Sequence, residues 1–284
     1  LKTEPNENKI IIRDSNIFFK NNNDEVLFIN KIYNSKFYYD SKNLQNVLQS
    51  KNQVFNLPYK LIIKNNKFNK SVNIKFNSKK IRLHVENELN YANNQNNGIF
   101  DILLVNKGTS FEYEFNDKSL NFSSFGKKNQ YEGKMDFKPF YFSAIFNYDG
   151  INTKKIFNEE SVFINLIKSE ILNNKNLNAS IKLNVKDITN ISELNNLYLI
   201  AKIDQGKIDL TDSNMMWKED LKITLSDCLL SYEDGNLNLN GRLTFNFFDI
   251  DNFYRSFQLQ KKFRKKIERI DIDFLYDFNQ QKIS

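Results

Sequence analysis

His84 is the only histidine of the chain, and it sits in Ile81-Arg-Leu-His-Val-Glu86, alternating with apolar neighbours. A catalytic or metal-binding imidazole needs convergent carboxylate, thiolate or second imidazole partners, and the sequence sets none at a useful spacing. It reads as a polar-face residue of a strand. The carboxylates of Asp212, Asp220, Asp227 and Asp234 stand singly. A glycosidase pair would meet in space and not in sequence, but isolated acids near strand ends are usually turn formers. No Gly-rich phosphate loop, nucleophile elbow or Cys-X-X-Cys occurs. The single cysteine, Cys228, is followed by Leu229 and Leu230, which suits a small buried hydrophobe and excludes an internal disulfide. The expectation is a protein that is not an enzyme and holds no metal or cofactor.

Charge is the remaining chemical signal, and its position matters more than its size. The 284 residues carry a formal +7, and residues 252–269 hold seven basic residues against Glu268 alone, a local +6. The rest of the chain is close to neutral. Lys261, Lys262, Arg264, Lys265, Lys266 and Arg269 would suit anionic lipid headgroups or nucleic-acid phosphates, or they would form the solvated face of a helix. Of the two ligands, headgroups fit better, because a nucleic-acid module spreads its basic residues over the binding surface. A nucleic-acid partner is therefore not expected.

The elements that must carry these residues are mostly strands. Apolar residues make up 40% of the chain and include 26 Phe and 13 Tyr, which suits pleated surfaces better than helix bundles. With only 8 Gly and 3 Pro, the turns fall to Asn and Asp. Period-two alternation marks strands at 10–19, 26–39, 59–63, 72–76, 81–89, 99–105, 110–115, 120–125, 131–137 and 140–148. Their connections are too short for crossover helices and predict an antiparallel meander. The run Phe137-Lys-Pro-Phe-Tyr-Phe142 would offer stacking faces, although alternation favours packing within the sheet. Three-to-four spacing from Thr153 to Asn173 predicts an amphipathic helix capped by Thr153 or Asn158, and a second, basic helix is expected over 252–269. A short helical turn is expected at Lys42–Leu48. Strands resume at 177–185, 197–210, 221–230, 236–248 and 270–278. No apolar run reaches the roughly eighteen residues of a membrane-spanning helix.

Leu237, Leu239, Leu243, Phe245 and Phe247 alternate with polar or small residues in Gly-Asn-Leu-Asn-Leu-Asn-Gly-Arg-Leu-Thr-Phe-Asn-Phe247, and Gly206-Lys-Ile-Asp-Leu210 echoes its opening. With Asp220-Leu-Lys-Ile-Thr-Leu225 and Phe253-Tyr-Arg-Ser-Phe-Gln258, these stretches resemble the AsmA-like family of bacterial envelope proteins. The resemblance is most specific from Leu177 to Phe278. It implies a long antiparallel sheet, twisted and curled into a groove, with a role in outer-membrane biogenesis and phospholipid movement across the periplasm. It also implies attachment to the inner membrane by a segment outside this fragment, with phospholipid, a membrane surface or other envelope proteins as partners. No catalytic residue set accompanies it.

The sequence thus predicts a mainly β fold, a long antiparallel, twisted and curled sheet with one or two accessory amphipathic helices. Residues 1–150 would form a first meander, 151–175 a helical insertion, and 176–284 further strands with the basic helix, the whole being part of a longer protein. Leu237, Leu239, Leu243, Phe245 and Phe247 are the expected lipid contacts, and the basic residues named above the expected headgroup contacts. A β-sandwich-like module that binds carbohydrate or a protein partner is the alternative.

Overall fold

The computed structural model describes residues 9–20, 24–91, 96–104, 107–125, 130–137, 140–156, 174, 176–233, 236–278, 280 and 282–284. The chain is mainly β, with nineteen strands among these residues, almost all paired antiparallel. It divides into two compact units, the first ending at Phe125 and the second opening with the strand at Gln130.

The first unit holds β1 (Ile10–Lys20), β2 (Val26–Asp40), β3 (Gln45–Val54), β4 (Leu57–Asn66), β5 (Ser71–Ser78), β6 (Leu83–Asn90), β7 (Asn97–Leu104), β8 (Lys107–Phe115) and β9 (Ser119–Ser124). Each strand pairs antiparallel with the next in sequence. Asn and Asp close the turns, as composition predicts. Asp40 Oδ1 accepts from the backbone N–H of both Lys42 and Asn43, and the Asn66 and Asn116 amide oxygens do the same for Phe68, Asn69, Lys118 and Ser119. The helical turn expected at Lys42–Leu48 is absent. The Asp40 turn and a left-handed Leu44 return the chain directly into β3.

Register turns this unit into a two-faced surface. One cross-strand row runs Leu61, Phe76, Val85, Ile102, and the next runs Ile63, Ile74, Asn87, Phe100, Phe111. The opposite face carries Ile62, Lys75, Glu86, Asp101 and Ser110 in one row and Lys60, Asn77 and His84 in another. Along β8 the pattern is clean: Phe111 and Tyr113 are buried while Glu112 and Glu114 are exposed. The Tyr113 ring lies over Gly98, where an added Cβ would stand 2.6 Å from the phenol oxygen, and its hydroxyl donates to Asn87 Oδ1 at 3.2 Å.

The second unit holds β10 (Gln130–Phe137), β11 (Phe140–Ile151), α1 (Thr153–Ile156), β12 (Ala179–Ile188), β13 (Leu194–Asp204), β14 (Lys207–Asp209), β15 (Asn214–Trp217), β16 (Leu221–Glu233), β17 (Asn236–Phe247), α2 (Ile250–Ser256), β18 (Arg269–Asp277) and β19 (Lys282–Ile283), with a 3-10 turn at Lys261–Phe263. β10 and β11, read from the sequence as the end of the first meander, belong by contact to this unit. β11 and β12 pair in parallel, Phe142 opposite Ala179 through Ile151 opposite Ile188, which requires a crossover connection of a dozen or more residues. The helix expected at 153–173 shows its first turn, with Thr153 N–H donating to Asn190 Oδ1 at 2.8 Å. Its remainder, 157–173, lies outside the described residues, as does the alternative cap Asn158.

The strand expected at 197–210 is two strands. Gln205 (φ 50°) and Gly206 (φ 80°) make a two-residue hairpin turn between β13 and β14. Two consecutive left-handed residues define the hairpin turn that favours Asn-Gly. Gln205 is exposed, so Gln205→Asn is expected to raise stability by about 0.5 kcal/mol, measured as the midpoint of denaturant unfolding. A lower midpoint would contradict that turn geometry.

Candidate functional site

The five apolar candidates of β17 sit in the middle of a three-strand block. Leu243 faces Leu225 on one side and Ile272 on the other, and Phe245 faces Ile223 and Ile270. Leu239 lies between Leu230 and Tyr276, and Phe247 opposite Leu221. The structure thus brings Leu237, Leu239, Leu243, Phe245 and Phe247 together on one face. Only Leu237 is buried, at 2% exposure, and the other four are half-buried. Next to them Ile270 and Ile272 stand 36% and 47% exposed. The same face continues through Leu183 and Leu199 to Phe146 and Tyr131.

One interruption in this row is filled by a bulge. Between Ser226 and Leu229 the pairing of β16 with β17 shifts, with Asp227 left-handed at φ 49°. Cys228 is thereby set over Gly241 and is fully buried. Burial, with a smaller contribution from nearby Asp209, pushes its thiol up to about 11, so it is inert as a nucleophile.

The reverse face is ionic. Arg242 Nε donates to Asp273 Oδ1 at 2.7 Å, Thr244 Oγ1 donates to Asp271 Oδ1 at 2.7 Å, and Arg269 donates to both oxygens of Asp271. The Arg269 guanidinium, then the Thr244 hydroxyl, hold the Asp271 carboxyl below its usual range. Arg269, counted with the headgroup candidates, opens β18 and pairs with Asp271 on the same strand while its side chain stays 59% exposed.

The basic helix expected over 252–269 is corrected by the structure. Helix α2 ends at Ser256, because Gln258 turns left-handed at φ 54° and the following backbone N–H groups fold back onto Arg255 and Tyr254. Lys261 and Lys262 lie on the 3-10 turn, while Arg264, Lys265 and Lys266 lie in an extended connection to β18. Arg264 is half-buried with Nε donating to the Leu259 carbonyl at 3.0 Å, and the Tyr254 hydroxyl donates to the Lys265 carbonyl at 2.9 Å. The lysine side chains are exposed.

Helix α2 has no buried residue and is held by its cap and one aromatic side. Asp249 caps it through Asn252 N–H, and the Asn252 side-chain amide donates to both oxygens of Asp220, a carboxylate only 5% exposed. Phe253 packs edge-on against Trp217 and Phe247, and Phe257 stacks on Trp217 with ring centroids 5.5 Å apart. Asp212 and Asp227 hold left-handed turn and bulge positions, as isolated acids near strand ends should. Asp234 lies outside the described residues.

His84 lies on the polar face of β6, as expected. Its Nε2 is 3.0 Å from Glu86 Oε1, which also accepts from Lys75 Nζ at 2.8 Å. The Lys75 hydrogen bond, then that of His84, lower the Glu86 carboxyl from its ordinary value. The depression beside it, about 390 Å³, also presents Asp101 and Ser110, but the Ser110 hydroxyl donates to Asp101 and not to the imidazole. No group of three or more His, Cys, Asp or Glu among the described residues could hold a metal ion, and no described helix is long and apolar enough to cross a membrane.

Sequence reasoning passed over Phe248, Phe257 and Phe263 as a set. They stand 64%, 57% and 59% exposed on the connection between β17 and β18. The signal was the doublet Phe247-Phe248, since two adjacent aromatics cannot share one face of a strand. Compared with protein-family models, curated proteins and solved structures, the chain matches none.

Proposed function

We propose that this chain is a segment of an AsmA-like envelope protein that works without making or breaking bonds, its apolar sheet face holding lipid acyl chains out of water. The reading places it in the periplasm, in phospholipid movement and outer-membrane biogenesis. The observation that carries it is the incomplete burial of an in-register apolar face. In the first unit Leu61, Ile63, Ile74, Phe76, Val85, Phe100 and Ile102 are half-buried, and in the second Leu239, Leu243, Phe245, Ile270 and Ile272 remain half-buried or exposed. A face that packed as a closed core would have such side chains almost fully buried. An acyl chain laid on it gains about 0.8 kcal/mol per buried CH2. The opposite face of β17 and β18 carries the Arg242–Asp273 and Arg269–Asp271 ion pairs, with Leu229 and Leu275 exposed beside them.

The test is phospholipid recovery from the purified chain by organic extraction and mass spectrometry. Phospholipid is expected to co-purify, and Ile270→Asp with Ile272→Asp is expected to reduce it by about tenfold while circular dichroism is unchanged. Both positions are exposed enough to accept a carboxylate without unfolding. A folded wild-type chain free of phospholipid, even after incubation with vesicles, would refute the reading.

A further inference from the structure

We infer that the connection between β17 and β18, residues 248–268, is a membrane-docking tip that inserts Phe248 and Phe263 into the interface of an anionic bilayer while its lysines contact the headgroups. The inference rests on the lipid reading above and names the surface at which the chain would meet its lipid source.

Both ends of the connection are fixed to one end of the sheet. Asn246 pairs with Arg269, and Phe247 N–H donates to the Glu268 carbonyl at 2.9 Å. Phe248 and Asp249 N–H donate to the Asp220 carbonyl, and Lys218 Nζ donates to Ser256 Oγ at 3.2 Å. Helix α2 holds the connection against this end through Phe253 on Trp217 and Phe247. On it, three phenyl rings are more than half exposed, a density of apolar side chains that water does not favour.

The same connection carries Lys261, Lys262, Lys265 and Lys266, all exposed. Lys266 has Glu268 Oε1 at 4.0 Å, both side chains being almost fully exposed, and Lys262 Nζ lies 4.9 Å from the Phe263 ring centroid. Aromatic rings flanked by lysines are the composition of segments that lie in the headgroup region, where the ring enters the acyl boundary and the ammonium stays with phosphate. Each lysine near an anionic surface adds attraction, and each buried ring adds apolar transfer free energy. A polyanion without bases would use the charge and leave the rings in water, whereas a bilayer takes up both the lysines and the rings; a single strand that stacks on the rings is the rival that oligonucleotide competition decides.

The experiment is co-sedimentation of the whole chain with vesicles of phosphatidylcholine alone and of phosphatidylcholine with phosphatidylglycerol, with Trp217 emission as a second readout. Wild type is expected to bind the anionic vesicles and to leave the neutral ones in solution. Charge reversal at Lys261, Lys262, Lys265 and Lys266 is expected to weaken binding by at least about a hundredfold. The pair Phe248→Ser and Phe263→Ser, which leaves every lysine in place, is expected to weaken it by about tenfold or more. Absence of binding to anionic vesicles would overturn the inference, and so would a serine pair that binds as well as wild type. Equal displacement by a single-stranded oligonucleotide would overturn it in favour of nucleic acid. The Ile270→Asp, Ile272→Asp chain separates the two proposals. If it has lost its extracted phospholipid, it should still sediment, whereas a wild type that carries phospholipid but ignores anionic vesicles sinks the tip and leaves the lipid-holding sheet face standing.

Discussion

Replacing Gly241 with valine is expected to destabilise the chain by about 1–3 kcal/mol, the usual cost of overpacking. A Cβ at this position would stand 2.8 Å from Cys228 Cα, 3.0 Å from its Cβ and 3.1 Å from its Sγ. The nearest atom belongs to backbone, so no rotamer change relieves the contact. For the same reason Cys228→Ala should not rescue Gly241→Val, since it leaves Cα and Cβ in place. Chemical denaturation gives the size of the effect, and thiol labelling gives its location. Cys228 is fully buried with its thiol pushed up to about 11, so the native protein should resist a maleimide at neutral pH. In Gly241→Val the same thiol should label faster, because the bulge must open to admit the side chain. An unchanged midpoint with unchanged labelling would show that the bulge is soft and that β16 slides freely over β17.

Asp220→Ala carries the second large effect. The carboxylate is 5% exposed and accepts from the Asn252 amide at 2.8 and 2.7 Å, and the main-chain oxygen of the same residue accepts from Phe248 and Asp249. Truncation keeps the main-chain bonds but leaves the Asn252 amide without its acceptor, at a cost of about 1–3 kcal/mol. The loss should fall on helix α2. Trp217 is the only tryptophan, and the rings that cover it, Phe253 and Phe257, both belong to that helix and its end. Its emission should therefore move to longer wavelength well below the denaturant midpoint of the sheet. Asp249→Ala, which removes the cap alone, should produce a smaller shift of the same sign. Emission from Asp220→Ala that superimposes on wild type throughout the titration would show that α2 is held by its aromatic contacts without help from the buried carboxylate.

The strands were legible wherever one face is apolar and the other is not. Leu237 to Phe247 reads at period two because Thr244 and Arg242 point to partners on β18 while their neighbours point to Leu225 and Ile223. β3 was read in part as helix because its faces are not sorted by polarity. Its buried positions include Ser50 and Asn52, the Ser50 hydroxyl donating to Asn52 Oδ1 at 2.7 Å, and Val47 is buried on the reverse face. The basic segment deceived for a different reason. Phe253, Phe257, Phe263 and Ile267 keep helical spacing, yet only Phe253 and Phe257 are joined by continuous helix, and Gln258 leaves the right-handed region without a glycine to announce it. Asn and Asp as turn formers followed from composition, whereas bulges at Asp227 and Asn196 depend on pairing with a partner strand. Of the candidate site, the apolar row was legible and the exposed rings were not, because exposure depends on where a strand ends.

The parallel pairing of β11 with β12 sets an order on how the chain acquires its structure. Every strand of the first unit completes itself against the strand just before it, so each can form as soon as it is available, with little loop entropy to overcome. β12 meets the strand just before it only in parallel. Its partner β11 lies across a register offset of 37 positions, Phe142 to Ala179, and the intervening chain must cross over before any ladder bond forms. In the second unit, a zipper that has closed β10 on β11 therefore pauses at Ile151. Folding rates measured by stopped flow should then separate into a fast phase from nearest-neighbour hairpins, β12–β13 and β16–β18 included, and a slower one set by the crossover that joins β11 to β12.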